Sequence, residues 1–308
     1  MKFKNIHLYS AHIKKGGANM ACDSLFTALS KSKSNIIFSR SSYKKEGAIK
    51  YNLNRVLGKV VASTTCQSQF YRPFISNNSI SDTSYFSIVH AHWLNNVPLN
   101  SIPISKSLII TAHDQWLVNF GWAWDPITLN SPTRKIETAV NNISRSLYSS
   151  KEPLKYLADH YPLQKIITPS LWLKNYITEK TNFPGKKICV IKNIINNNIF
   201  KFDRDTYINF KKRNEKIVIV ASTAYWQEWR KGRKLLMKIF RKIIHYYGNN
   251  VKFKIIGNIK IDTDIKQYSI LYGNIKNKQH IARILNSSDC MVMPSRLENL
   301  TQTICEAL

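Results

Sequence analysis

The feature that most constrains the fold is an alternation of short apolar runs with longer helical patterns, which occurs twice along the chain. In the first half, each apolar run is short enough for a buried strand and is followed by a longer segment. The runs predicted as strands span 6–9, 35–39, 85–92, 107–113, 165–169 and 188–191. An alternation of this kind predicts a parallel sheet covered by helices.

A second set of strands and helices follows a polar, asparagine-rich stretch at 193–214, which we predict to be a linker. The second set has predicted strands at 216–221, 251–257, 268–272 and 289–293, and helices at 230–247 and 281–285. We therefore predict an α/β protein with two doubly wound parallel-sheet domains, 1–192 and 215–308, facing each other across a cleft.

Composition supports two folded domains. The chain has 308 residues, of which 44% are hydrophobic and 11% aromatic, enough to fill two cores.

No apolar run reaches the ~18 residues of a membrane-spanning helix, and the N-terminus lacks a signal peptide's apolar stretch. Five scattered cysteines without a Cys-x-x-Cys pair predict reduced thiols and a cytoplasmic location. They are Cys22, Cys66, Cys189, Cys290 and Cys305.

The formal net charge of +28 predicts anionic partners. The basic residues form two clusters: Lys44, Lys45, Lys50, Arg55 and Lys59, and then Arg230, Lys231, Arg233, Lys234, Lys238, Arg241 and Lys242. Nucleic acid is not expected, because no helix-turn-helix, zinc-finger or aromatic RNA-reading pattern is present. Attraction to an anionic membrane surface and a general bias towards lysine both explain the charge.

Two glutamates near the end of the chain suggest a ligand site. Glu298 and Glu306 follow an apolar strand that Pro294 ends, and Asn299 or Thr301 can cap a new helix. If that helix begins near Asn299, Glu306 lies about 12 Å along it from Glu298. This gap matches a diphosphate between two hydroxyl-rich groups. The alternative is a surface helix with two solvated glutamates.

Three histidines fall near the carboxyl ends of predicted strands, where open sheets border a ligand crevice. Residues two apart in a strand share a face, so His90 and His92 are predicted to lie side by side. With His113 they suggest zinc, but the adjacent Trp93 and Trp116 suit a sugar face at least as well. We expect no metal and interpret His113, together with the adjacent Asp114, as functional. A packed, hydrogen-bonded ring is the alternative for any single histidine.

Gly16 and Gly17 lie between the first predicted strand and the first helix. Without side chains, the backbone can approach a ligand closely, and a helix start favours an anion. The pattern is not Gly-x-Gly-x-x-Gly, so a dinucleotide site is not indicated.

Arg230 and Lys231 precede the long helix of the second half. Two fixed positive charges at this junction can neutralise a diphosphate leaving group. The alternative is a solvated basic face, because the cations continue through Lys242.

In combination these motifs resemble the retaining glycosyltransferases of family four, which have the GT-B fold. The resemblance covers most of the chain, and its most specific part is Pro294-Ser-Arg-Leu-Glu298 with Glu306-Ala307, similar to the family's spaced-glutamate motif. The two histidine segments resemble the branch that builds exopolysaccharide and O-antigen. The supporting segments are Lys14-Lys-Gly-Gly-Ala18, Ile88-Val-His-Ala-His-Trp93, Leu108 to Trp116, Thr168-Pro-Ser170, Val190-Ile-Lys-Asn193 and Arg230-Lys-Gly232.

The resemblance implies that the second domain binds a nucleotide-diphosphate sugar and that the first lies on the acceptor side. Glu298 then lies against the donor sugar, and Glu306 accepts hydrogen bonds from the ribose. Asn299, Leu300 and Thr301 offer backbone donors near the sugar and phosphates.

The same resemblance implies how catalysis is divided. Lys231, helped by Arg230, stabilises the departing diphosphate, and His113 contacts the transferred sugar. Gly16 and Gly17 leave room for phosphate and acceptor. The acceptor enters on the leaving group's side, so no protein nucleophile, cofactor or divalent metal is required.

The implied acceptor is a lipid-linked saccharide or a growing surface polysaccharide such as lipopolysaccharide. The enzyme is then expected on the inner face of the cell membrane, where a basic surface holds it near anionic headgroups. A nucleotide-sugar epimerase of the same fold is the alternative enzyme. An inactive remnant, or a basic binding protein, is the alternative without catalysis.

Two departures from the family pattern bear on these expectations. The family commonly has Gly-Arg after the first strand of the second domain, where this chain has Ala221-Ser-Thr223, so Arg230 is the nearest substitute. Relatives also continue past the position of Leu308 with a Gly-Pro turn, further strands and a C-terminal helix. We therefore expect the second domain to be incomplete and the chain to be C-terminally truncated.

Overall fold

The computed structural model of the chain forms two compact units, Met1–Ile194 and Ile195–Leu308, each with its own parallel sheet. The first basic cluster, Lys14, Lys15 and Cys66 lie outside the described residues. Within them, no helix is long and apolar enough to cross a lipid bilayer, and four cysteines are free thiols. The structure describes residues 5–10, 16–32, 36–42, 65, 85–95, 97–119, 122–147, 153–213, 216–223 and 226–308.

The first unit is built on a parallel sheet of strand order β2-β1-β3-β4-β5-β6. Its strands are β1 (Asn5–Ser10), β2 (Ile37–Ser42), β3 (Ile88–His92), β4 (Leu108–Thr111), β5 (Leu163–Thr168) and β6 (Ile188–Val190). Its described helices are α1 (Gly16–Ser30), α2 (Arg134–Leu147), α3 (Pro153–His160) and α4 (Leu171–Lys180). The register pairs Ser10 with His92, and His92 with Thr111. Polar side chains therefore meet where the central strands end.

The two faces of β3 differ in chemistry. Val89 and Ala91 are fully buried in the main hydrophobic core, so His90 and His92 occupy the other face. This alternation lets one strand support the core and the candidate site together.

The second unit has a parallel sheet of order β10-β7-β8-β9. The amphipathic helix α6 covers one face, where Phe240 stacks on Phe253 of β8 at a centroid distance of 3.8 Å. Trp226 is buried in the same core. The strands are β7 (Ile217–Ser222), β8 (Val251–Ile256), β9 (Ser269–Gly273) and β10 (Cys290–Met291). The helices are α5 (Arg204–Arg213), α6 (Arg233–Tyr247), α7 (Thr263–Lys266), α8 (Lys278–Asn286) and α9 (Gln302–Ala307).

The expectation of two parallel α/β sheets is confirmed, with differences at element boundaries. The stretch 193–214 contains helix α5, so it is not a plain linker. The polar composition of this stretch did not indicate a helix. Helix α5 packs on α8, and Asp203 N, just before α5, donates a hydrogen bond to Asn286 Oδ1 at the end of α8. The predicted helix at 230–247 begins only at Arg233, because Gly232 has left-handed backbone angles.

Candidate functional site

In the first unit, three imidazole rings cluster at the carboxyl ends of β3 and β4. The rings of His90 and His92 are 4.3 Å apart between centroids, as their shared strand face predicts. His92 Nδ1 lies 3.2 Å from His113 Nε2, and His90 Nε2 lies 2.7 Å from the Thr111 hydroxyl. His113 as a residue is half-buried, whereas His92 is buried. The predicted residue His113 is therefore the member of the cluster that can meet a ligand.

Burial keeps these histidines neutral. It lowers the pKa of His90 to about 4. It also lowers the pKa of His113 to about 3, with a further contribution from His90. Burial and the neighbouring charges lower the pKa of His92 as well. A neutral imidazole has one donor and one acceptor nitrogen, which suits recognition of hydroxyl groups. Nε2 of His92 is buried and has no hydrogen-bond partner in the described part of the chain.

Two residues support this edge: Arg40 was not predicted from sequence, whereas Asp114 was interpreted as functional together with His113. Arg40 on β2 donates to Ser10 Oγ at 2.8 Å and pairs with Asp23 at 3.0 Å. Asp114 accepts hydrogen bonds from Trp116 N at 3.0 Å and from Asn95 at 3.1 Å. Asp114 therefore joins the loops that follow β3 and β4. Arg40 is an isolated arginine in a strand, so no sequence motif indicated its contacts with Ser10 and Asp23.

The prediction that Trp93 and Trp116 offer a sugar face is wrong for Trp116. Trp116 is 1% exposed and lies in the main core, where the Trp116–Val118 turn packs against helix α3. Trp93 is partly buried against the same core. It has a positive φ of 46°, unusual for a bulky residue and found most often at turns or sites under strain.

Gly16 and Gly17 are the first two residues of α1. The preceding segment, 11–15, lies outside the described residues, so the proposed phosphate loop has only its helical end defined. Their predicted role stays a prediction.

In the second unit, the structure brings together three predicted residues. The Glu298 carboxylate lies 2.6 Å from Lys231 Nζ and 2.9 Å from Arg230 Nη1. Arg230 also pairs with buried Glu228 at 2.8 Å. We refer to these four side chains as the ion cluster. It lies where the turn after β7 meets the loop after β10.

The ion cluster is largely shielded from water, and this shapes its electrostatics. Burial, with the adjacent charge of Arg230, lowers the pKa of the Lys231 ammonium even though Glu298 opposes the shift. Burial alone raises the pKa of Glu298, but the charges of Arg230 and Lys231 hold it below its usual value. A buried carboxylate that stays ionised between two cations is a typical arrangement of a functional site.

Local backbone geometry fixes this arrangement. Trp229–Lys231 forms a single 3-10 turn, closed by Gly232 at φ 71° and ψ 29°. A Cβ at Gly232 would lie 2.1 Å from the carbonyl oxygen of Pro294, so only glycine allows the approach. Arg296 N then donates to Arg230 O at 2.8 Å. These contacts hold Glu298 against the two cations.

The helix after Glu298 starts at the second of the two predicted cap positions, Thr301, and not near Asn299. Helix α9 begins at Gln302, with Thr301 as its N-cap residue but without a side-chain cap. Glu298 therefore precedes the helix, and the separation of about 12 Å expected for one continuous helix does not apply. Asn299 and Leu300 are half-buried in the connection. The N-cap residue of the helix is therefore Thr301 and not Asn299.

Glu306 lies on α9 and is half-buried. Burial raises the pKa of its carboxyl, while Lys278 and a hydrogen bond from Gln302 oppose the shift. These two partners of Glu306 lie on α8 and α9, so Glu298 and Glu306 have separate environments. Whether Glu306 meets a ribose stays a prediction.

No group of three or more His, Cys, Asp or Glu side chains is placed to hold a metal ion among the residues that the structure describes. Of the predicted residues, Arg230, Lys231 and Glu298 thus form the ion cluster of the second unit. Glu306 has a separate environment on α9, and His113 belongs to the neutral histidine group of the first unit.

Solved glycosyltransferases match the chain over almost its whole length. Sucrose-phosphate synthase from Thermosynechococcus elongatus has a TM-score of 0.63 at 12% identity, covering 99% of this chain and 78% of the other. The catalytic domain of starch synthase IV from Arabidopsis thaliana, bound to ADP and acarbose, has a TM-score of 0.59 at 11% identity, covering 100% and 81%. The chain has their GT-B fold.

HepE of Anabaena, in complex with UDP and glucose, has a TM-score of 0.53 at 12% identity, covering 99% of this chain and 78% of the other. No family model matches the sequence, and no curated protein matches it significantly. The structural likeness therefore fixes the fold, and the function is argued from the site.

We predict that Gly232→Ala destabilises the second unit by about 3 kcal/mol or more, because left-handed strain is joined by a clash with a backbone atom. Gly273→Ala is the matched control: φ is 61° there, but the closest atom to a new Cβ is Asn258 Oδ1 at 3.6 Å. Urea unfolding followed by circular dichroism measures both. Equal losses of stability in the two variants would contradict the close approach.

We predict that the first unit loses stability as the pH falls from 7 to 5. The unfolded chain protonates His90 near pH 6.5, whereas the folded chain does so only near pH 4. The stabilisation is complete above the unfolded value and falls by about 1.4 kcal/mol per pH unit for each such histidine.

Urea unfolding of His90→Gln at several pH values tests this, because the variant should show a weaker pH dependence than the wild type. Exposed His160 in the same unit provides the control, His160→Gln, which should keep the wild-type dependence. Identical slopes for all three proteins would show that His90 is not held neutral.

Proposed function

We propose that this protein is a retaining glycosyltransferase of family four that transfers a sugar from a nucleotide-diphosphate donor. The single observation that carries the proposal is the ion cluster at the carboxyl edge of the second sheet, in a chain with the GT-B fold. Ligands of open parallel sheets bind at this edge. Arg and Lys held at fixed positions there match a diphosphate leaving group.

The geometry of Lys231 supports a role in phosphate binding. An ammonium group has three N–H donors, and Glu298 takes one of them at 2.6 Å. Arg230 is fixed by two carboxylates and by the carbonyl of Leu297, at 3.0 Å. The carboxylates position the cations before a ligand arrives, so little reorganisation is needed when negative charge develops on the leaving group.

The sugar-facing roles follow from charge. Glu298 is ionised and can accept hydrogen bonds from sugar hydroxyls, while neutral His113 can both donate and accept one. Glu306 would accept from the ribose, with Asn299, Leu300 and Thr301 offering backbone donors nearby. HepE binds UDP and glucose, and we extend that ligand class to this chain. No cofactor or metal is required, since positioning and charge stabilisation supply the catalysis.

For the acceptor we propose a lipid-linked saccharide or a growing surface polysaccharide on the inner face of the cell membrane. Lys234, Lys238 and Lys242 recur every four residues on α6 and are all exposed. Residues at this spacing share one helix face, which would attract anionic headgroups at about 1 kcal/mol per cation.

A transfer assay tests the function. The protein is incubated with UDP-, GDP- and ADP-sugars, with and without lipid-linked saccharide from membranes, and release of nucleoside diphosphate is measured. Release that depends on the acceptor supports transfer. Isomerised donor without an acceptor would identify an epimerase. Absence of turnover, and of any rise in melting temperature with nucleoside diphosphates, would leave a non-catalytic basic protein.

We predict that Glu306→Ala weakens nucleoside diphosphate binding by about tenfold or more, because a carboxylate acceptor for the ribose is lost. Isothermal titration calorimetry measures the Kd. Glu179→Ala removes an exposed carboxylate from α4 in the first unit and serves as the control. Unchanged affinity in Glu306→Ala would remove the ribose assignment.

We predict that Lys231→Ala lowers kcat by about 100-fold while changing recognition of the sugar less, since the charge acts mainly on the leaving group. Steady-state kinetics with two donors that differ only in the sugar separate these effects. An equal loss of kcat in Lys266→Ala, which removes an exposed lysine from α7, would indicate a general charge effect instead.

A further inference from the structure

The second unit contains a cavity of about 370 Å³ that the ion cluster does not account for. Its volume falls at the lower end of the range for small-molecule sites, about 300–1,000 Å³. Glu228 of the ion cluster lines it, whereas Arg230, Lys231, Glu298 and Glu306 do not. The lining residues are Trp226, Gln227, Glu228, Trp229, Gly232, Arg233, Lys234, Lys260 and Arg296.

Three cations of the cavity wall are not neutralised. Lys234, Lys260 and Arg296 are exposed and have no carboxylate partner among the residues described. Arg233 is paired with Asp262 at 3.0 Å, and Glu228 is paired with Arg230. The free positive charge of the cavity therefore exceeds the free negative charge by three, which favours a multiply charged anion over a single carboxylate.

Arg296 is held in an orientation suited to phosphate. Its guanidinium carbon lies 4.3 Å from the centre of the Trp229 ring. Stacking on a ring uses the face of the guanidinium and leaves its N–H donors free along the edge. A planar fork of donors binds two phosphate oxygens at once.

The cavity wall is rigid before any ligand binds. Arg233 donates to the carbonyl of Lys260 at 2.6 Å, and Gln227 donates to the carbonyl of Asn258 at 3.2 Å. Trp226 is buried and donates from Nε1 to the carbonyl of Ile256 at 3.0 Å. These bonds connect the turn after β7 to the loop after β8. A preorganised wall reduces the entropy lost on binding.

We propose that this cavity is a second site, next to the ion cluster, that binds a phosphorylated saccharide. Lys234, Lys260 and Arg296 would hold the phosphate, and the partly exposed Trp229 would contact the sugar. The phosphate belongs either to a free sugar phosphate or to a phosphorylated unit of a glycan chain. The cavity adjoins the ion cluster at Glu228, which pairs with Arg230, but none of the three cations assigned to the phosphate belongs to that cluster.

The test is calorimetric titration of the full chain with glucose 6-phosphate in the presence of saturating UDP, which keeps a nucleotide site occupied. We expect binding that glucose alone does not reproduce. Lys260→Gln and Arg296→Gln should each weaken it by about tenfold or more, because each removes a charge-assisted hydrogen bond.

Lys266→Gln is the matched control, because it removes the same charge from the exposed end of α7, at a position that does not line the cavity. If loss of the Trp229 stack unfolds Arg296→Gln, as circular dichroism would show, Lys260→Gln and Lys234→Gln carry the test.

Phosphorylated dextran identifies the source of the phosphate: tighter binding than glucose 6-phosphate indicates a glycan chain, and weaker binding a free sugar phosphate. The proposal is overturned by absence of binding to the wild type, by displacement with UDP, or by an equal loss in Lys266→Gln.

Discussion

Parallel pairing of every described strand is the constraint on which the candidate sites depend. In a parallel sheet all carboxyl ends lie along one edge, so the loops that follow neighbouring strands meet there whatever their distance in sequence. In the first unit this edge collects Ser10, His92 and Thr111 from three strands. In the second it brings Lys231, after β7, to Glu298, after β10. Neither arrangement arises from residues that are adjacent in the chain.

The carboxyl edges of the two sheets differ in whether their side chains carry charge. The histidine group is neutral because burial removes the charge of its members. The ion cluster stays charged because each cation has a carboxylate within 3 Å. Neutral groups suit hydroxyls, and paired charges suit a group whose charge changes during reaction. One fold can thereby hold both kinds of recognition without metal ligation by its described residues.

Much of the fold follows from sequence pattern, since strands buried on both faces are continuous apolar runs that few other structures explain. The contact between Lys231 and Glu298 could also be predicted from sequence, because both residues follow predicted strands of the same sheet. Helix α5 was missed because its sequence is polar, and its packing on α8 is a tertiary contact. Trp116 was misjudged because sequence does not show that the turn after β4 folds back into the core.

Residues that support the sites were the hardest to predict. In the sequence, Glu228 is a single acidic residue close to a run of basic residues. Only the structure shows that it is buried and paired with Arg230. Arg296 lies inside the glutamate motif without a family role, and its position over Trp229 depends on the close approach of two loops. Such contacts arise from long-range geometry, which no local pattern records.

The division into two units with separate cores has a spectroscopic consequence. Five of the seven tryptophans belong to the first unit and two to the second. Trp226 and Trp229, the pair in the second unit, both line the cavity of about 370 Å³. Replacing the other five with phenylalanine would leave an emission signal that comes from the cavity wall alone, a built-in optical reporter for small ligands of the second unit.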